Sequence, residues 1–135
     1  MALAPTQTQA SQERLVIATR AEPNSLDPQY SITGTNQATA MHMFETLLKR
    51  DENLRIGPGL ATVFRPIDAY RWEVVLREDV RFHDGSPLTA KDVAFSLERA
   101  SRVPFSPASF APRVKMIERI DILDAHRLYL VTREP

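Results

Sequence analysis

The stretch 70–100, YRWEVVLREDVRFHDGSPLTAKDVAFSLERA, leaves the folding chain the fewest choices. Tyr70, Trp72, Val74 and Leu76 alternate with Arg71, Glu73, Val75 and Arg77, the two-residue period of a strand with one buried face. Glu78-Asp79 breaks the alternation, and Val80 and Phe82 resume it. Asp84-Gly85 signals a turn, because glycine accepts positive φ without steric cost. Thr89 precedes Asp92 at capping-box spacing, with Asp in place of the usual Glu or Gln. The helix it opens carries Val93, Leu97 and Ala100 on one face and ends near Arg102, before Pro104.

The flanking regions are less explicit. Leu15, Val16, Ile17, Ala18 and Thr19 form an apolar run without alternation, which predicts a strand covered on both faces in a mostly parallel sheet. Two prolines, Asn24, Ser25 and Asp27 then make an extended loop that continues through Gly34. Ala40, Met43, Phe44, Leu47 and Leu48 fall on a 3.6-residue period, predicting a core-facing helix over 36–50, capped by Thr35 or Asn36 and closed by Lys49 and Arg50. Gly57-Pro58-Gly59 predicts an irregular, turn-rich connection over 51–59. After an apolar, proline-rich segment over 103–112, Met116, Ile120 and Ile122 predict a strand within 114–123. Asp124-Ala125-His126 turns the chain, and Leu128 and Leu130 sit on a returning strand.

At 135 residues the chain suits one domain with a real core. Seventeen basic residues balance seventeen acidic ones, so overall charge offers no argument for a nucleic-acid partner. The absence of cysteine removes thiol catalysis, disulfides and Cys-based zinc sites. No apolar run approaches the roughly 18 residues needed to span a bilayer. Residues 1–14 read as a disordered tail, although Ala2-Leu3-Ala4 has the small-x-small look of the end of a secretory signal.

Little in the residues carries chemistry. His42, His83 and His126 stand alone, without metal-ligand spacing. His83-Asp84 has the look of an acid/base pair, but neighbours on a strand point to opposite faces, and Asp84 already has a turn to make. No glycine pattern cradles a phosphate. The residues alone therefore predict an α/β domain with no catalytic residues, no metal and no cofactor.

The run 76–99 resembles the hallmark segment of extracellular solute-binding protein family 5, the peptide and nickel receptors of ABC importers. The resemblance rests on Leu76-Arg77, Val80-Arg81-Phe82, Asp84-Gly85, Pro87, Thr89-Ala90, Asp92-Val93 and Phe95-Ser96 with Arg99. Ser25-Leu26-Asp27-Pro28, Phe44-Glu45-Thr46-Leu47-Leu48 and Pro58-Gly59-Leu60-Ala61 follow the family's order, as does the closing hairpin with Glu134-Pro135. Members are much longer, two-lobed proteins, and this chain looks like about the first quarter of one.

The resemblance implies an α/β fragment of a type II periplasmic-binding-protein-like fold. Residues 15–50 would supply the first strand, loop and helix of the large lobe, and 51–135 a small mixed sheet-and-helix subdomain. It implies a non-enzymatic receptor in the periplasm or at the cell surface, with a peptide or small-molecule ligand and, as partners, an ABC transporter permease and the remainder of the receptor chain. The loop of Tyr30, Ser31, Ile32, Thr33, Gly34 and Thr35 would offer backbone groups to the ligand; the alternative is that it only caps the following helix. Phe110 occupies a region from which some relatives send an aromatic toward the cleft, with plain packing as the alternative. A stand-alone interaction domain, docking through the proline-rich segment, is the competing reading. As a fragment expressed alone, the chain would expose the apolar surface that the rest of the receptor covers, which predicts association or poor solubility.

Overall fold

The structure, a computed structural model, describes residues 15–135; the tail expected over 1–14 lies outside them. In chain order the elements are α1 (Gly34–Ala40), β1 (Leu48–Arg50), β2 (Ile56–Pro58), β3 (Ala61–Pro66), β4 (Arg71–Leu76), α2 (Ala90–Arg99), α3 (Ala111–Val114), β5 (Ile117–Ile122) and β6 (Arg127–Thr132). β1 and β2 form a small antiparallel pair, and the other four strands an antiparallel sheet in the order β3-β4-β6-β5.

The alternation in β4 sets the register of that sheet. Val74 lies opposite Phe64 of β3 and Leu128 of β6, while Trp72 lies opposite Leu130, and Leu130 in turn opposite Ile120 of β5. Directly paired residues share a face, so these side chains merge into one apolar surface. α2 covers it with Ala90, Val93 and Leu97, leaving Val74 and Leu128 at 0% exposure. Burying each such Val or Leu is worth about 1.5–3 kcal/mol.

Local signals at the start of α2 and in the turn before it are realised, while the helix ends at Arg99, short of the expected Arg102. Asp92 Oδ2 accepts from the Thr89 backbone N–H at 2.8 Å and from its hydroxyl at 2.7 Å. The Ala90 N–H, which a helix start leaves without an intrahelical partner, donates to Ala125 O in the β5–β6 turn at 2.7 Å. The same turn bonds β4, through Leu76 N–H to His126 O. Asp84 Oδ1 accepts from the N–H and hydroxyl of Ser86, and Gly85 takes φ 87, as the Asp-Gly signal requires.

Four expectations are corrected. The run Leu15 to Thr19 forms no strand and is exposed, because a covered parallel strand needs neighbours on both sides and the described residues supply none. The helix expected over 36–50 ends at Ala40: α1 has 7 residues and begins after Thr33, with Thr35 and Asn36 inside it rather than capping it. Beyond it, Leu47 joins the core cluster from a different backbone geometry, its carbonyl accepting from Gly59 and Ala61, and Leu48, Lys49 and Arg50 become β1.

The connection over 51–59 is also more regular than expected. Asp51 Oδ1 accepts from the N–H groups of Asn53 and Arg55, closing a hairpin whose return strand is β2. Gly57 and Pro58 are accommodated because this pair is short and Pro58 ends its strand. Gly59 is required by close approach, since a Cβ there would meet Thr46 O at 2.4 Å. Finally, the strand expected within 114–123 starts at Ile117, after the one-turn helix α3 with Pro112 in its first turn; Met116 stays outside it and exposed. β3 was not anticipated, because Ala61 to Pro66 lacks a clean alternation and its pairing carries a bulge between Ala61 and Val63.

Candidate functional site

The candidate site is a loop held by polar bonds rather than by apolar packing. Asp27-Pro28 starts a β-turn, with proline at its second position and Tyr30 N–H donating back to Asp27 O at 3.1 Å. Gln29 N–H donates to Asp27 Oδ1 at 3.0 Å, so the aspartate organises the turn with main chain and side chain together.

Two anchors then fix the loop, both supplied by the chain from the end of α2 onward. At the near end, Arg99 Nη1 donates to Asp27 Oδ1 at 3.0 Å and to Gln29 Oε1 at 2.8 Å, and Arg99 Nη2 donates to Asp27 Oδ2. Gln29 Nε2 donates in turn to the carbonyl and hydroxyl oxygens of Ser96, at 2.7 and 2.9 Å. At the far end, Ser106 Oγ donates to Tyr30 O at 2.6 Å and Ile32 N–H to Ala108 O at 3.0 Å, where Ser31 and Ala108 form a parallel bridge. The Arg99 guanidinium holds the Asp27 carboxyl below the usual carboxylate range, against partial burial that pushes the other way and with help from the Gln29 N–H.

A second layer of bonds ties the loop to α1. Gln37 Nε2 donates to Pro28 O and Ser31 O, at 3.2 and 2.8 Å. Ser31, fully buried, donates its hydroxyl to Thr33 Oγ1, which donates to Asn36 Oδ1; Asn36 Nδ2 donates to Asn24 Oδ1 and Ser25 O. Among the described residues no buried side-chain nitrogen or oxygen lacks a partner.

The structure therefore separates the six loop positions by role. Ser31 is consumed by internal bonds, and Tyr30 and Ile32 spend a backbone group each on the 106–108 segment. Tyr30, Ile32 and Thr35 are half-buried, Thr35 lying within α1, while Thr33 and Gly34 are exposed. Phe110 is half-buried at the start of α3, with the Arg113 guanidinium 5.7 Å from its ring centre. Since Ala108 pairs with Ser31, the two stretches singled out in the sequence do meet.

Chemically, this arrangement presents a small polar edge with no acid/base pair. His83 is exposed in the turn before Gly85, and Asp84 accepts from Ser86 rather than from a histidine. No group of three or more metal donors exists among the described residues. Sequence reasoning overlooked Arg99, Ser96, Gln29 and Asp27 as parts of this site. Asp27 and Arg99 each lie in a stretch that carries the family resemblance, but they are 72 residues apart and no periodicity connects them.

Comparison with known proteins gives a consistent picture. The model of the bacterial extracellular solute-binding proteins, family 5 Middle, matches residues 55–135. The periplasmic murein peptide-binding protein MppA of Escherichia coli K12 is 33% identical over 90 residues, covering 67% of this chain and 17% of its own length. The periplasmic oligopeptide-binding protein OppA of the same organism is 35% identical over 94 residues, covering 69% of this chain and 17% of its own length. The crystal structure of NikZ from Campylobacter jejuni, in complex with Ni(L-His), superposes with a TM-score of 0.71 at 28% identity, over 85% of this chain and 23% of NikZ. The mixed sheet and helices described above are thus a part of the periplasmic-binding-protein fold, and the chain spans about a quarter or less of each of these relatives.

Proposed function

Because this chain belongs to the bacterial extracellular solute-binding proteins of family 5, we propose that it forms part of a non-enzymatic receptor that captures a peptide or similar small solute and passes it to an ABC permease. The match over 55–135 carries the reading. The periplasmic names of MppA and OppA support placing the receptor in the periplasm or at the cell surface. The ligand contacts lie in the loop 30–35, at exposed Thr33 and Gly34 above all, with Phe110 on the segment whose Ala108 pairs with Ser31. Main-chain hydrogen bonds suit a receptor that accepts many peptide sequences, since they do not depend on the ligand's side chains.

Docking through the proline-rich segment has less support, because Ser106 and Ala108 of that segment are already engaged with the loop. The test is a thermal-shift and calorimetric panel on the receptor that contains this chain, with pools of di-, tri- and tetrapeptides and with a nickel-histidine chelate. Saturable stabilisation by one class is expected, because a ligand that binds only the folded state raises its melting temperature. A panel without any saturable binder would overturn the proposal.

A further inference from the structure

We infer that Arg99 is a positioning residue for the ligand loop: it fixes Asp27 and Gln29, and through them sets where residues 30–35 stand. The inference rests on the proposal that this loop meets the ligand. Arg99 sits in the last turn of a helix whose start is capped and whose inner face is packed on the sheet, so its backbone is a rigid reference. The loop has no such packing of its own. Leu26, Thr33 and Gly34 are exposed, and its near end is joined to α2 through Arg99 and Ser96.

The far anchor cannot replace the near one. Ser106 and Ala108 hold Tyr30 and Ile32, and the amides of Asn36 and Gln37 hold backbone at Ser25 and Pro28, but among the described residues Arg99 is the side chain that donates to the Asp27 carboxylate around which the turn is built. Arginine suits the task specifically, because one planar group serves both carboxylate oxygens of Asp27 and the amide oxygen of Gln29. Lysine, a point charge without that fork, would keep the attraction and lose the alignment.

Amide hydrogen exchange and peptide calorimetry, both on the receptor that contains this chain, test the clamp and its purpose. In Arg99→Ala, exchange at Gln29 and Tyr30 should rise roughly tenfold while amides of β4 and β6 keep their rates, and Arg99→Lys should fall between. Affinity for the short-peptide pools should drop by about tenfold in Arg99→Ala and less in Arg99→Lys. Unchanged exchange at Gln29 and Tyr30 would overturn the inference, and so would an equal rise throughout the sheet, which marks a merely structural role. A loosened loop with unaltered peptide affinity would overturn both the positioning role and the loop as ligand contact. Absence of peptide binding by the unaltered receptor would instead overturn the proposed function, with the exchange result still deciding whether Arg99 governs the loop.

Discussion

The region from β3 through β6, with α2 on its inner face, encloses a core, whereas most large apolar side chains of the region 15–56 stay exposed. In the first, paired strands bring Val74, Leu76, Leu128 and Leu130 onto one surface and α2 closes it. In the second, Leu15, Val16, Ile17, Met41, Phe44, Leu54 and Ile56 all remain exposed. Apolar character alone therefore does not make a core; it needs a partner surface in register with it. The loop 27–37 is a third solution, held by side-chain hydrogen bonds and one ion pair where apolar cover is thin.

The largest expected effect breaks the first region and spares the second. Leu128→Ala removes a side chain that is 0% exposed in the centre of the sheet, and should cost about 2–5 kcal/mol in urea unfolding. Met41→Ala removes a side chain of similar size that is 76% exposed, and should change stability by no more than about 0.5 kcal/mol. Equal losses at the two positions would mean that the region around Met41 has a core of its own.

The same contrast explains which elements could be read from the chain. β4, the turn at Gly85, α2 with its cap and the β5–β6 hairpin were legible because alternation, capping and turn chemistry agree with the tertiary contacts there. The helix expected over 36–50 failed because its periodicity was correct for a helix while backbone partners at Gly59 and Ala61 drew Leu47 into a β-like path. β3 was invisible because its bulge interrupts any two-residue period. Of the candidate site, the loop 30–35 and the segment holding Phe110 are legible in the sequence, and Ser31 and Ala108 join those two stretches, but the clamp that holds the loop is not legible. A contact between Asp27 and Arg99 leaves no trace in either local pattern.

A smaller effect sharpens the comparison at the loop. The folded-state pKa of Asp27 is depressed by Arg99, so the pair's contribution is fully present above the ordinary aspartate value near 3.8 and is lost as pH falls through the lower folded-state pKa. Both side chains are partly solvated, so the contribution is about 1 kcal/mol rather than that of a buried pair. Asp27→Asn should accordingly lie below the unaltered chain in urea stability at pH 7, and the gap should narrow at pH values below the ordinary aspartate range. A gap that stays constant down to acid pH would show that the charge on Asp27 contributes nothing.

The smallest effect is expected where the sequence offers the most conspicuous chemistry. His83 is exposed in a tight turn and makes no side-chain hydrogen bond among the described residues, and its neighbour Asp84 is occupied by Ser86. His83→Gln should leave stability within about 0.5 kcal/mol and peptide affinity unaltered, while Arg99→Ala should loosen the loop. The ordering follows from what each side chain touches. Arg99 bonds two residues of a loop that lacks apolar support, whereas His83 is exposed. Measured side by side in the same exchange and calorimetry experiments, a His83→Gln effect as large as that of Arg99→Ala would reverse the ordering and move the functional emphasis from the loop to the turn.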